Sequence, residues 1–212
     1  MAVKNIFIVG GGGHAKSLIA VIEKCKGFTV IGYTDIRDRG PILGVSWIGT
    51  DENWKTIQKK YKSSAAIGIG SVDISDKRES IAKQLTALGL ELPAIVSPTA
   101  IVNEDVRIGA GTVIFDGAII NSGTRIGEGC ILNTGCIVDH DCVIGDFVHL
   151  APGTVLSGGV KVGNNCLLGT ASKVIEYRTI HQNCLVGAGA VVTQDINKPG
   201  TYVGVPARRM KA

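Results

Sequence analysis

The chain has 212 residues, of which 45% are hydrophobic and 19% are charged, and its formal net charge is +4. These values are typical of an ordinary soluble chain of one or two domains. The charge is mild and no cluster of Lys and Arg is interleaved with aromatic residues, which argues against nucleic-acid binding. Because the sequence has neither a signal peptide nor an apolar run of about twenty residues, we expect a cytoplasmic protein without membrane insertion.

The N-terminal segment has the pattern of a β-α-β unit. An apolar run at Lys4–Val9 leads into four glycines, then an amphipathic stretch at Ser17–Lys26 and a β-branched run at Phe28–Tyr33. The glycines begin a G-x-G-x-x-A motif at Gly10, and Asp35 follows about twenty positions later, which nearly matches a dinucleotide-binding fingerprint. Such glycines let a phosphate approach the backbone at a helix N-terminus. The alternative is a tight strand-to-helix turn without a ligand.

The pattern continues with a helix at Asp51–Lys62, a buried strand at Ala65–Ile69 and a helix at Ser75–Leu88 that Gly89 ends. This series is too short for a complete six-stranded dinucleotide fold. We therefore predict a half-size, Rossmann-like α/β module over residues 1–92.

A six-residue repeat fills the chain from Ile95 to Ile196. Cut into sixes, this stretch gives seventeen hexads without an insertion, and the second position is always Val, Ile or Leu. Such a period is the signature of a parallel β-helix. Glycines recur every eighteen residues, at Gly109, Gly127, Gly145 and Gly163, so three hexads should form one coil. The sequence predicts an all-β domain over residues 93–197, followed by a tail over 198–212.

The sixth position of each hexad is a small, inward-facing position. It holds five of the six cysteines, and no C-x-x-C pair occurs, so we interpret the cysteines as small core residues rather than as metal ligands or disulfides. Arg178 also falls at this position, and we therefore expect a distorted coil at Lys173–Arg178.

The first position of each hexad should point outward, since neighbouring residues on a strand face opposite ways. Every third hexad shares a face of the prism. The polar face carries Arg107, Arg125, Val143, Lys161 and Thr179. The second face carries Ile95, Val113, Ile131, His149, Leu167 and Leu185. The third face carries Ile101, Ile119, Ile137, Val155, Lys173 and Val191. Two apolar outer faces should be covered by other subunits, so we predict a homotrimer.

Asp139, His140 and Asp141 form the strongest candidate for chemistry. One coil further on stands Gly158, which should leave an open groove over the imidazole, and His149 points outward from the second face. A histidine flanked by carboxylates beside such a groove is a reasonable general base. A solvated corner histidine is the alternative.

The chain resembles a family of bacterial enzymes. The motifs that carry the resemblance are the G-G-G-H turn, the hexads, D-H-D-C-V-I-G-D-F-V-H-L and the closing V-G-V-P-A-R-R-M. Together they resemble sugar-nucleotide acetyltransferases of the sialic acid O-acetyltransferase and bacillosamine or perosamine N-acetyltransferase group. The resemblance implies a left-handed β-helix, a trimer, acetyl-CoA as the co-substrate and no metal.

The resemblance also implies roles for individual residues. His140 matches the catalytic base and Asp141 the carboxylate that orients it. The match to the substrate site comprises Gly12, Gly13, His14, Asp35 and Asn133. The match to the acetyl-CoA site comprises His149, Gly158 and the Leu185–Ala190 coil with Gly187 and Ala188. A second acidic residue often follows the one that matches Asp35, whereas this chain has Ile36.

We expect acetyl transfer to the amino group of a nucleotide-linked 4-amino-4,6-dideoxy sugar, with UDP as the favoured nucleotide. The first alternative is O-acetylation of sialic acid or another sugar. A zinc-dependent lyase would need histidine ligands with H-x4-H spacing, which this sequence lacks. A non-enzymatic β-helix scaffold is the remaining alternative.

Overall fold

The computed structural model of the chain describes residues 3–210. Two compact units are present. The first comprises the residues up to Gly70 together with Lys77–Ser97, and the second comprises Ser71–Asp76 and the chain from Pro98 onward. The tail predicted at 198–212 groups with the second unit and is described as far as Met210, so its last two residues lie outside the described part.

The first unit contains a four-stranded parallel sheet. Its strands are β1 (Lys4–Val9), β2 (Phe28–Thr34), β3 (Trp47–Gly49) and β4 (Ser64–Ile67), in the order β3-β2-β1-β4. The central strand β1 is buried at Ile6, Phe7 and Ile8, as expected for a parallel sheet covered on both faces. The parallel order brings the carboxyl ends of all four strands to one edge.

Three helices connect these strands. They are α1 (Gly13–Ile22), α2 (Trp54–Tyr61), which follows a 3-10 turn at Asp51–Asn53, and α3 (Lys77–Ala87). The predicted helices are present with ends that differ by a few residues. Gly89 adopts a φ of +79° directly after α3, a conformation that favours glycine and ends the helix.

The hexads form seventeen short strands, β5 to β21. Each strand covers the first two positions of its repeat, and β20 also includes Cys184, the last residue of the preceding repeat. The strands are Ile95–Val96, Ile101–Val102, Arg107–Ile108, Val113–Ile114, Ile119–Ile120, Arg125–Ile126, Ile131–Leu132, Ile137–Val138, Val143–Ile144, His149–Leu150, Val155–Leu156, Lys161–Val162, Leu167–Leu168, Lys173–Val174, Thr179–Ile180, Cys184–Val186 and Val191–Val192. Two strands of the tail follow, β22 (Gly200–Val203) and β23 (Arg208–Arg209).

Each hexad strand pairs with the strand three hexads away. Arg125, for example, pairs with both Arg107 and Val143, eighteen residues to either side. The resulting parallel sheets have the orders β19-β16-β13-β10-β7 and β21-β18-β15-β12-β9-β6, and a third runs through β22-β20-β17-β14-β11-β8. Aliphatic residues at the second position, such as Leu132 and Leu150, are fully buried along the axis. This arrangement confirms the parallel β-helix and its eighteen-residue coil.

The three faces differ in exposure, and one of them departs from the prediction. The polar face is exposed along its length. The second face was expected to need a partner subunit, yet Ile95, Val113 and Ile131 are only 1–2% exposed within the single chain. The third face remains open, with Ile101 at 55% and Ile137 at 37% exposure. Among residues 3–210, the third face is therefore the apolar face with the most exposed aliphatic side chains.

The predicted distortion at Lys173–Arg178 is wrong. Thr179 and Ile180 keep the regular register with Lys161 and Val162. The Arg178 side chain leaves the inward position, donating from Nε to the carbonyl of Glu176 at 3.0 Å. The irregularity lies one coil later, where Ile180 pairs with Ile196, two residues earlier than an eighteen-residue coil would place its partner.

The C-terminal segment covers the upper edges of the β-helix. Strand β22 adds to β20, and β23 folds back antiparallel onto β22. Val191 donates its N–H to Gly204 and accepts one from Ala207, so this segment also pairs with β21.

The six cysteines are free thiols, and the five in the hexads are buried. Burial raises the pKa of Cys136 to about 12 and that of Cys142 to about 11, which keeps both protonated at neutral pH. Residues 3–210 contain no group of three His, Cys, Asp or Glu side chains arranged to hold a metal ion. In the same range, no helix is both long and apolar enough to cross a lipid bilayer.

Candidate active site

His140 lies at the corner between β12 (Ile137–Val138) and β13 (Val143–Ile144). Its Nδ1 is 2.9 Å from Oδ2 of Asp141. An ionised carboxylate only accepts hydrogen bonds, so Nδ1 carries the proton and Nε2 keeps a lone pair. The side chain of His140 is 53% exposed. The pair has the arrangement of a base and its orienting carboxylate.

The carboxylate of Asp141 also sets the protonation of the imidazole. Its hydrogen bond raises the pKa of His140 above the ordinary value of 6.5, partial desolvation opposes this effect, and the negative charges of Asp139 and Asp141 add to it. The neutral, basic form of His140 therefore becomes abundant only at a pH above that of an ordinary histidine.

A ladder of polar side chains fixes the backbone before His140. Nδ2 of Asn103 donates to Oδ1 of Asn121, and Nδ2 of Asn121 donates to Oδ1 of Asp139 at 2.9 Å. The same oxygen of Asp139 accepts the N–H of His140 at 2.8 Å. These two hydrogen bonds lower the pKa of Asp139. Asp139 therefore orients the peptide that carries the imidazole rather than contacting its ring.

Gly158 packs directly against the imidazole. A Cβ atom at this position would lie only 2.6 Å from Nε2 of His140 and 2.7 Å from its Cε1. The sequence predicted an open groove over the ring, whereas the ring itself occupies that space. Gly159 packs in the same way against the ring of Tyr177, which would lie 2.5 Å from a Cβ atom at Gly159. A Cβ at either position would therefore force the neighbouring ring to move.

His149 and Asn133 form a second polar cluster. Nε2 of His149 is 3.3 Å from Nδ2 of Asn133, and Nδ1 is 3.1 Å from the carbonyl oxygen of Ser71. Since a carbonyl only accepts, Nδ1 of His149 donates to it and Nε2 accepts from the amide of Asn133. His149 is only 9% exposed. The sequence indicated neither this burial nor the role of Ser71, which is 78 residues away along the chain.

Gly187 and Ala188 lie in the turn between β20 and β21. The N–H of Gly187 donates to the carbonyl of Tyr202 at 2.8 Å, so this N–H is already engaged. A Cβ on Gly187 would lie 2.8 Å from Cγ1 of Val203. Ala188 is exposed. The turn can therefore offer a ligand a flat surface of small residues.

A cavity of about 340 Å³ lies at the carboxyl edge of the sheet in the first unit. Its lining includes the predicted residues Gly12, Gly13, His14 and Asp35. Three charged residues that were not predicted line the same cavity, Arg39, Asp51 and Lys77. Asp51 lies two residues after the end of β3, and that position was the signal that could have identified it.

The glycine turn leaves room for an anion. A Cβ at Gly12 or Gly13 would meet nothing within 4 Å, and no side chain caps the N-terminus of α1 at Gly12. Such a helix N-terminus favours negative charge. Asp35 is engaged nearby, since its Oδ2 accepts from the N–H of Gly11 and from Nε of Arg39, each at 2.8 Å. Burial opposes ionisation of Asp35, but these hydrogen bonds outweigh it and lower its pKa.

Comparison with known proteins decides the family. The sequence profile of the PglD N-terminal domain matches residues 5–85, and that of the bacterial transferase hexapeptide (six repeats) matches residues 123–158. No curated protein sequence matches the chain. A structure of perosamine N-acetyltransferase from Caulobacter crescentus in complex with CoA and GDP-perosamine is 34% identical, with a TM-score of 0.94, and the match covers 100% of this chain and 99% of that one. The chain belongs to this family of hexapeptide-repeat sugar acetyltransferases.

Two further structures agree with that assignment. The acetyltransferase domain of PglB from Neisseria gonorrhoeae, in complex with acetyl coenzyme A, is 30% identical with a TM-score of 0.92, covering 99% of this chain and 100% of that one. WeeI from Acinetobacter baumannii shares the fold at 24% identity and a TM-score of 0.87, covering 98% of this chain and 100% of that one. The sugar acetyltransferase is thus an enzyme with acetyl-CoA as its co-substrate, and the scaffold and lyase alternatives are excluded.

The Asp141 contact generates a prediction about titration. In the intact acetyltransferase, NMR titration should give His140 a pKa above 6.5, and Asp141→Asn should lower it, because the amide removes both the negative charge and the strong acceptor. Below the raised pKa the wild-type imidazole is protonated, so the acid limb of activity should shift to lower pH in this variant. Loss of one signal in His140→Ala assigns the resonance, and the other histidines serve as internal controls. An unchanged His140 pKa would contradict the contact.

The close packing of Gly158 generates a second prediction. Gly158→Ala should displace the imidazole and lower the acetyl-transfer rate by about 10²-fold, the cost of a misplacement of about 1 Å. Gly27→Ala is the matched control, because a Cβ there meets nothing within 4 Å. CoA release measured at saturating substrates reports the rate, and circular dichroism verifies that both variants fold. Equal rates for the two variants would show that the imidazole tolerates the added methyl group.

Proposed function

We propose that the chain transfers an acetyl group from acetyl-CoA to the amino group of a 4-amino-4,6-dideoxy sugar linked to a nucleoside diphosphate. The observation that carries this proposal is the His140–Asp141 pair packed against Gly158, in a chain 34% identical over its full length to an enzyme whose structure contains CoA and GDP-perosamine. That structure carries a histidine replaced by asparagine, and another structure of the same Caulobacter crescentus enzyme carries a histidine replaced by alanine.

The proposed reaction is a direct transfer with His140 as the general base. The neutral sugar amine attacks the thioester carbonyl, forming the C–N bond, and Nε2 of His140 takes the proton that the nitrogen sheds. Backbone N–H groups stabilise the oxyanion of the tetrahedral intermediate. The C–S bond then breaks, and the CoA thiolate leaves and takes up the proton from the imidazolium. Asp141 holds the imidazole tautomer and stabilises its charged form throughout.

The remaining predicted residues divide between the two substrates. We assign the diphosphate to Gly12, Gly13 and the N-terminus of α1, where uncapped N–H groups and open space favour an anion. We assign acetyl-CoA to the surroundings of Gly158 and to the turn of small residues at Gly187 and Ala188. His149 and Asn133 hold each other in place, and we propose that they support the thioester end of this site.

Transfer to nitrogen is favoured over transfer to oxygen. An amine is already nucleophilic when neutral, whereas a hydroxyl needs stronger activation. The anion-binding features of the first unit suit a nucleotide-linked substrate, and a free sialic acid has no diphosphate to place there. A product amide resists hydroxylamine, so a hydroxylamine-labile product formed only from sialic acid would favour the O-acetyltransferase. Since acetyl-CoA and nucleotide sugars are cytoplasmic metabolites, we propose a cytoplasmic enzyme.

The proposal predicts the effect of removing the base. His140→Ala should lower kcat by about 10²–10⁴-fold, the usual contribution of a general base, with little change in the affinity for acetyl-CoA. His181→Ala is the matched control, because His181 is an exposed histidine of the same β-helix, with its Nδ1 3.0 Å from the carbonyl oxygen of Gln182. Rates come from CoA release with a nucleotide-linked 4-amino sugar. Near-normal turnover in His140→Ala would refute the mechanism.

We also propose that the enzyme is a homotrimer. The third face supports self-association, because Ile101 and Ile137 are exposed there beside half-buried aliphatic residues. The number three rests on the family resemblance.

Light scattering tests this assembly. The wild-type mass should be about three times 22.1 kDa. Ile137→Asp should lower it, because a carboxylate would be buried in the interface, whereas Val143→Asp on the polar face should leave it unchanged. A wild-type monomer or dimer would contradict the trimer.

A further inference from the structure

Three strand ends of the first unit supply residues to one cavity in a regular order. The glycine turn follows β1, Asp35 follows β2, and Asp51 follows β3 at the start of its 3-10 turn. The strands are neighbours in the sheet order β3-β2-β1, so each step crosses about 4.8 Å. The cavity therefore extends from the glycine turn across two strands to Asp51.

This order matches the layout of a nucleotide. With the diphosphate at the glycine turn and the N-terminus of α1, the ribose would lie over the end of β2 and the base over the end of β3. Two strand spacings, roughly 10 Å, are comparable to the distance from phosphate to base. Asp51 is then the charged side chain beside the base.

The carboxylate of Asp51 differs from that of Asp35. Asp35 accepts hydrogen bonds from Gly11 and Arg39, whereas in the part of the chain that the structure describes no donor hydrogen-bonds to the Asp51 side chain. Partial burial raises the pKa of Asp51, the charge of Asp35 raises it further, and Lys77 opposes both. Asp51 lines the cavity and is an exposed residue, so its carboxylate oxygens are accessible to a ligand that brings N–H donors.

We propose that Asp51 accepts hydrogen bonds from N1–H and the 2-amino group of a guanine, so that the enzyme uses a GDP-linked amino sugar. This inference rests on the proposed function and refines it. Guanine presents two adjacent donors that match the two oxygens of a carboxylate. Uracil presents one donor between two carbonyl oxygens, which a carboxylate repels, so Asp51 disfavours the UDP-linked sugar expected from the sequence.

The position of Asp51 has a second explanation that involves no ligand. Asp51 and Glu52 both lie in the first turn of the helical segment, where negative charge stabilises the helix dipole. Glu52 does not line the cavity, so Glu52→Gln removes the same kind of charge without touching the base. It is therefore the matched control for Asp51→Asn.

Isothermal titration of the intact protein with GDP, UDP and inosine diphosphate tests the proposal. The wild type should bind GDP about tenfold or more tightly than UDP, the scale of discrimination that a bidentate contact to a base provides. Inosine diphosphate lacks the 2-amino group and should fall between them. Asp51→Asn should weaken the binding of GDP about tenfold and leave the binding of UDP unchanged. Glu52→Gln should keep the wild-type preference for GDP over UDP.

The other outcomes are distinct. Tighter binding of UDP than GDP by the wild type would overturn the inference and leave the proposed function intact. Equal weakening of GDP and UDP by Asp51→Asn would identify a ribose contact and also overturn it. If Asp51→Asn leaves the ratio of the GDP and UDP affinities unchanged and lowers the melting temperature, Asp51 acts by stabilising the helix, and the inference is overturned. If the wild type binds neither nucleotide, the nucleotide-linked substrate itself is refuted.

Discussion

The coil of eighteen residues is the constraint on which the candidate site depends. Because the coils before the last one have the same length, each of their corner residues lies directly against its counterpart in the next coil. The N–H of Asp141 bonds to the carbonyl of Ser122, and the N–H of Gly159 bonds to the carbonyl of His140. The corner at His140 therefore has one coil on each side along the axis, and the absence of a side chain at Gly158 leaves room for the imidazole.

The first unit uses parallel strands in a related way. Its four strands share a direction, so residues far apart in sequence meet at the carboxyl edge without any side-chain contact being needed to bring them there. Gly12, Asp35 and Asp51 line one cavity for this reason. In both units, the register of parallel strands brings the candidate site residues together. Hydrogen bonds between their side chains and neighbouring groups then set their pKa values.

Much of this arrangement could be predicted from sequence, because it follows from periodicity. The hexads gave the strand positions to within a residue, and the eighteen-residue spacing placed Gly158 over His140. Periodicity is local, however, and it contains nothing about segments that fold back from elsewhere in the chain. The carbonyl of Ser71 beside His149 and the burial of the second face were therefore missed. Arg178 was misjudged for a different reason, since a long side chain can leave an inward position through its flexible stem.

Stacked parallel strands about 4.8 Å apart have the geometry of an amyloid fibril, so an open end of the β-helix would be a template for further chains. The C-terminal segment removes that template. It adds β22 and its antiparallel partner β23 to one sheet, bonds Gly204 and Ala207 to Val191 on another, and pairs Ile196 with Ile180 on the remaining one. The shortened last coil thus terminates the repeat on all three sides. The same residues that break the hexad pattern keep a self-templating architecture finite.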